Sequence, residues 1–343
     1  MAEDFNGDGF DDVIAFYDYG SSQTKVWFFR GNANGIGRPV AVWDSGVGDW
    51  DWRRTWSVAG DFDGDGFADV TAFYDYGSGV TKAWLFRGNA NGVAPPVITW
   101  DSGINNWHWS RANPVAANFN GDAYADVIAF YDEGPIRDLG LAVTAAWLFQ
   151  GGINGVANGS HGWQSFWWDW SRTTLVAGDF NGDGGDVIAF YDYGSSQTKA
   201  WFFRGRTDGI DGPVEIWNSG VGNWDSAGSR SVAGDFNGDG FADVISFYDY
   251  GSSQTKAWFF RGRADGIGSP VDIWNSGVGN WDSTRTKSVA GDFNGDGFAD
   301  VIAFYDYGSS QTKAWLFRGT SNGVGPPLAV WDSGVNNWDA ARM

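Results

Sequence analysis

Four oxygen-bearing side chains recur along this chain at one fixed spacing. In the first copy they are Asp4, Asn6, Asp8 and Asp12, at positions 1, 3, 5 and 9 of a loop with glycine at position 6. Hard oxygen ligands at alternating positions around a glycine turn suit Ca²⁺, and the backbone carbonyl of position 7, Phe10, can join the set. The other copies are Asp61, Asp63, Asp65, Phe67 and Asp69; Asp179, Asn181 and Asp183; Asp235, Asn237, Asp239, Phe241 and Asp243; and Asp292, Asn294, Asp296, Phe298 and Asp300. Two copies depart from the pattern. Asn118, Asn120, Asp122 and Asp126 include only two carboxylates, with Ala123 in place of the turn glycine. The copy at Asp179 is one residue short, so its last ligand is displaced to Gly185-Asp186. An Asn/Asp/Gly turn that bonds its own backbone is the alternative for any single copy. An EF-hand is not: it needs a Glu at position 12, where Ala15 stands, and the residues that follow (Val13-Ile14-Ala15-Phe16-Tyr17) form a β pattern.

Charge supports the metal reading. The formal net charge is −20, from 42 acidic and 22 basic residues. The ligand positions of the six loops hold 18 of those acids, so the excess of negative charge lies almost wholly in the loops. Clustered carboxylates repel unless a cation sits among them. The same charge argues against nucleic acid and anionic membrane surfaces as partners. There is no cysteine, which excludes disulfides and thiolate metal sites. No apolar run approaches the ~20 residues of a membrane helix, so no membrane insertion is expected. A secreted or extracellular protein is the expectation, although no signal peptide is visible ahead of the first loop.

The elements that must position these loops repeat with them. Copies start 56 to 61 residues apart, dividing residues 1–343 into units near 4–60, 61–117, 118–178, 179–234, 235–291 and 292–343 of a single domain. Each unit reads as four short strands, shown in the fifth by Ser231–Gly234, Asp243–Tyr248, Thr255–Arg261 and Pro270–Trp274. No stretch has a helical period. Runs such as Val26-Trp27-Phe28-Phe29 are apolar on both faces, as strands packed between neighbours must be. The fold predicted is all-β: a six-bladed β-propeller with four antiparallel strands per blade. The third unit is irregular, with an insertion at Pro135–Leu141 and an altered segment around His161–Trp168. Met1-Ala2-Glu3 replaces a full first strand, and Asp339–Met343 is expected to pack beside it and close the ring.

Hairpin topology separates two rims. The acidic loops lie at one; the Tyr-Asp-Tyr-Gly turns and the long crossovers between units lie at the other. The crossover rim gathers Tyr19, Trp50 and Arg54; Tyr76, Trp107 and Arg111; Trp168 and Arg172; Tyr193 and Trp224; Tyr250 and Trp281; and Tyr307 and Trp338. Aromatic faces beside polar groups suit a sugar. For the crossover Trp residues two roles stay open: platform for a sugar, or seal between blades. The mid-strand series from Trp27 to Trp315 reads as core. Arg30, Arg87, Arg204, Arg261 and Arg318 end third strands near the loops and balance their charge. His108 and His161 read as structural, and with nearly every polar group repeated, no single catalytic constellation stands out.

The stretch Asp-Phe-Asn-Gly-Asp-Gly-Phe-Ala-Asp resembles the FG-GAP/VCBS calcium repeat of integrin-type propellers. With Phe-Tyr-Asp-Tyr-Gly, Ala-Trp-Phe-Phe and Trp-Asn-Ser-Gly-Val-Gly-Asn-Trp-Asp added, the whole chain is similar to the propeller lectins typified by the Psathyrella velutina lectin and the Photorhabdus lectins. That family is seven-bladed, which makes seven blades the alternative architecture. The resemblance implies a non-enzymatic, multivalent lectin with sugar pockets between adjacent blades. Its candidate glycans are fucose, N-acetylglucosamine or methylated sugars. A protein-binding adhesion module, or a structural repeat domain of a larger secreted protein, is the alternative.

Overall fold

In the computed structural model, which describes residues 1–134 and 143–343, six four-stranded antiparallel sheets follow one another along the chain. The second blade runs Thr55–Gly60, Asp69–Gly77, Val80–Phe86 and Val97–Asp101, from innermost strand to outermost. Innermost strands of successive blades touch around the axis, and those of the sixth and second blades both contact Ala2–Glu3 of the first. The ring is closed with six blades; the seven-bladed alternative is excluded. The insertion at Pro135–Leu141 lies outside the described residues.

Burial explains the strand composition. Asp69–Tyr74 is buried at every position, because both faces of a middle strand meet neighbouring blades. The third strand alternates between fully and partly buried residues, and the outermost is largely exposed. Each seam between blades is one apolar cluster. Ile14, Phe16, Val26 and Phe28 of the first blade pack on Val70, Ala72, Tyr74 and Phe86 of the second. The other five seams repeat this arrangement.

Local rules set the connections. The turn between second and third strands places Ser21 and Ser22 at φ 52° each, the left-handed pair that matches hairpin twist. Short 3-10 turns end the crossovers, capped by side chains such as Asp51, which accepts from the Arg53 N–H. These are the helical segments present among the described residues.

Chain ends meet as expected. Ala2 and Glu3 pair with Val13 and Asp12, Asp339 N donates to Tyr17 Oη at 3.1 Å, and Asp11 N donates to Asp292 O at 2.9 Å. This innermost strand has two residues where the others have six.

Candidate functional sites

Each acidic loop is tied to its own blade and to the next. Asp4 accepts from Gly7 N at 2.7 Å and Gly9 N at 2.9 Å, and Asp8 accepts from Phe10 N at 3.2 Å. Ala68 N of the second blade donates to Asp4 O at 3.0 Å, and Asn89 N donates to Phe5 O at 3.1 Å. Those carbonyls are therefore engaged, which leaves side chains and the position-7 carbonyl as possible ligands. Phe67 lies over Gly7 of the preceding loop, where an added Cβ would come within 2.7 Å of the ring. Tyr124, Phe241, Phe298 and Phe10 cover Gly64, Gly182, Gly238 and Gly295 in the same way. The fourth loop supplies no such aromatic, so Gly121 of the third has nothing above it within 4 Å.

The position-9 carboxylates set the electrostatics. Asp12, Asp69, Asp126, Asp186, Asp243 and Asp300 are all fully buried. Burial pushes Asp12, Asp69 and Asp186 up to about 7, and Asp126, Asp243 and Asp300 up to about 6. In each, a glycine N–H, such as Gly31 to Asp12 at 2.8 Å, opposes the rise, while neighbouring loop carboxylates add to it. A buried anion of this kind is stabilised by a cation beside it.

The residues fit calcium to different degrees. Asp61, Asp63 and Asp65 bring carboxylate oxygens within 4.8 Å of one another. In the first, fifth and sixth loops the asparagine amide instead donates to the buried carboxylate at 2.6 Å: Asn6 to Asp12, Asn237 to Asp243, Asn294 to Asp300. Turning that amide over would present its oxygen with the Asp4, Asp8 and Asp12 carboxylates. The third loop satisfies itself, since Asn120 Nδ2 donates to Asp122 at 2.9 Å and Asp126 at 3.4 Å. The fourth loop corrects the sequence reading. Asp186 is not displaced: it pairs in register with Gly178 and accepts from Gly205 N at 3.1 Å, as Asp12 does from Gly31. The deletion is absorbed in the loop before it. Asp186 Oδ2 is a buried acceptor without a partner in the protein, which a ligated cation would satisfy; the unpartnered Asn181 Nδ2 beside it is a donor and would not.

At the other rim the structure also corrects an expectation. Trp50, Trp107, Trp168, Trp224, Trp281 and Trp338 are only 5–7% exposed. Trp50 sits in a nest of Trp43, Tyr74, Trp84 and Phe86, with ring centroids 4.6 to 6.0 Å away. Its faces are covered by the next blade, so these residues seal the seams and offer no open platform to a sugar. A residue absent from the sequence reading holds them. Thr24, fully buried, donates to Trp50 O at 2.9 Å, and Thr81, Thr144, Thr198, Thr255 and Thr312 do the same for the other five. The repeated Thr at the head of each third strand was the available signal.

Tyr19, Tyr76, Tyr193, Tyr250 and Tyr307 are 42–46% exposed. Each carries a lysine over its ring, such as Lys25 Nζ at 4.9 Å, itself paired with Asp44 at 2.9 Å. Arg54, Arg111 and Arg172 lie over Tyr74, Tyr131 and Tyr191 at 5.4–5.6 Å, so they meet the inner tyrosine of the pair rather than the exposed one. Arg285 and Arg342 occupy the same place over Tyr305 and Tyr17.

Open clefts occur elsewhere in the seams, between one blade's outermost strand and the small two-residue ribbon of the next. One cleft of about 560 Å³ is lined by Phe28, Arg30, Arg38, Val42 and Asn91. At the equivalent place in the fourth blade, Phe202, Arg204 and Asp211 line about 390 Å³. The arginines do more than balance loop charge. Arg87 pairs with Asp63 at 3.0 Å and also donates to Ile153 O of the next blade at 3.1 Å.

A family model described as the FG-GAP-like repeat matches residues 4–72 and 235–303. No curated protein matches the chain. Among solved structures, the Aleuria aurantia fungal lectin, described as a six-bladed β-propeller with a novel fucose recognition mode, superimposes with TM-score 0.53 and 9% identity over 93% of this chain and 95% of that one. AofleA from Arthrobotrys oligospora gives TM-score 0.52 and 12% identity over 96% of this chain and 89% of that one. Residues 4–72 and 235–303 thus match the FG-GAP-like repeat, and the chain shares its six-bladed ring with these proteins.

Proposed function

We propose that this protein is a multivalent carbohydrate-binding lectin whose sugar pockets lie in the outer seams between adjacent blades. The observation that carries this reading is the recurrence of one cleft, with an aromatic edge, an arginine and aliphatic wall, at equivalent places on two blades, the first of them reaching the next blade at Asn91 and Val93. Such a site offers an apolar face for C–H groups and fixed donors for hydroxyls. Several weak sites on one ring gain strength together on a glycosylated surface. The shared fold with a fucose-recognising lectin supports the class, and fucose heads the candidate sugars, ahead of N-acetylglucosamine and methylated sugars. Calcium in the acidic loops is structural in this reading, and the setting is extracellular. Titration with α-methyl-L-fucoside and a glycan array test it. Arg30→Ala and Arg204→Ala should each remove one site's share of binding, and an array without hits overturns the reading.

A second reading has its own observation. The crossover rim exposes an apolar side chain in every blade: Val47, Ile104, Trp167, Val221, Val278 and Val335, 55–79% exposed. A ring of apolar tips suits a protein-binding adhesion module. Replacing all six by Ser should abolish partner capture yet spare sugar binding if that reading holds.

A further inference from the structure

We propose that the axial cavity at the crossover mouth binds one sugar acid per chain, a hydroxylated ligand bearing a carboxylate. The argument starts from the one strand position where the repeat does not repeat. Opposite the second-strand phenylalanine, the innermost strands carry Trp56, Asn113, Thr174, Arg230 and Lys287. Packing does not dictate these residues, since they line the axis rather than a seam. Two adjacent blades place cations there.

Arg230 and Lys287, with Arg285, line a cavity of about 610 Å³ whose lining includes a single carboxylate, Asp306. Among the described residues none of these three cations pairs with a side-chain carboxylate within 4.0 Å. Arg230 donates to the carbonyls of Ala227 and Ser229 at 3.3 and 2.9 Å. Lys287 donates to the terminal oxygen of Met343, lies 5.3 Å from the Trp52 ring and feels the Asp339 carboxylate from further off. Arg285 is held over Tyr305 at 5.5 Å. The contrast is with the outer lysines, Lys25, Lys82, Lys199, Lys256 and Lys313, which each have a carboxylate at 2.7–3.1 Å. In a chain of net charge −20, three cations left beside one another around a cavity form a local positive field.

The rest of the wall gives the ligand its second property. Hydroxyl residues Thr174, Ser231 and Thr284 line the cavity. In the same wall Ser229, itself 6% exposed, and Ser288 have buried Oγ atoms without a hydrogen-bond partner in the protein. Charge-assisted bonds from Arg230 and Lys287 would fix a carboxylate, and the hydroxyls would bond a polyol. The walls come from three different blades, so the site exists once per ring, whatever the number of seam sites.

Calorimetric titration of the whole protein with D-glucuronate, against glucose and sulfate, tests this. Saturable binding near one per chain is expected for glucuronate, weakening as salt rises. Neither glucose nor sulfate should match it. Arg230→Gln and Lys287→Gln should each weaken glucuronate by about tenfold or more while leaving the melting curve and fucoside binding in place. Arg230 and Lys287 are exposed, and a third variant, Arg285→Gln, reads the same loss should either of them misfold. No saturable binding at millimolar glucuronate, equal binding of sulfate or glucose, or unchanged affinity in folded Arg230→Gln and Lys287→Gln overturns the proposal. Loss of fucoside binding alone would bear on the seam clefts and not on this cavity.

Discussion

The two rims of the ring solve the same problem with opposite chemistry. Both must hold adjacent blades together. At the crossover rim a buried indole meets four aromatic neighbours, and a buried threonine hydroxyl pins its carbonyl. At the loop rim the contact is an inter-blade N–H to carbonyl bond, a ring over a glycine, and a buried carboxylate beneath. Aromatic burial is indifferent to ions and to pH across the neutral range. Buried carboxylates are not. The difference teaches that one end of every seam is fixed by packing, while the other depends on how its buried carboxylates are neutralised.

The largest effect that would sharpen this contrast is at the fixed rim. Trp281→Ala should cost about 3–5 kcal/mol, with or without calcium, read as a shift in denaturant midpoint. An equal loss only in chelator would break the contrast. Next comes calcium. Chelation should lower the melting temperature, because each site held at 100 times its dissociation constant contributes about 2.7 kcal/mol. Asp65→Asn should shrink that shift, and an unchanged melt in chelator would leave the loops as self-bonded turns.

Chelated protein should also respond to pH. The six position-9 aspartates titrate near 6 to 7 when folded and near 4 unfolded. Between those values the folded state holds more protons, so the stability these groups contribute is fully present below about pH 4, falls as pH rises through 4 to 7, and levels off above that. Bound calcium should flatten that slope, because the carboxylates then stay ionised beside it. A calcium-free melting temperature that rises over this range contradicts the burial argument.

Smaller effects follow. Thr255→Val should cost about 1–3 kcal/mol by orphaning the buried Trp281 carbonyl. Arg87→Ala should cost no more than about 1 kcal/mol, and less at high salt, since its guanidinium is half exposed and screened.

Much of the architecture was readable from residue order. The sixfold spacing of Asp-x-Asn/Asp-x-Asp loops counts the blades, and double-faced apolar runs such as Val26–Phe29 mark strands trapped between neighbours. The carboxylates of Asp61, Asp63 and Asp65 do gather, as their spacing places them. The misreadings have one cause. Trp50 and Tyr19 share a rim and look equally suited to a sugar, but only the next blade's Trp84 and Tyr74 cover the first. Asp186 looks displaced because a deletion shifts the count, yet strand register restores it to its place beside Gly178.

The sequence by itself therefore determined the blade, its number of copies and its acidic loops, because these follow from local periodicity and turn chemistry repeated along the chain. Only the tertiary structure decided which aromatic faces stay open, where the clefts fall, and that Arg230 and Lys287 share one cavity with Thr174. Those are properties of surfaces brought together from different blades, and covering or exposing a side chain depends on its neighbour in space, which no spacing within one unit records.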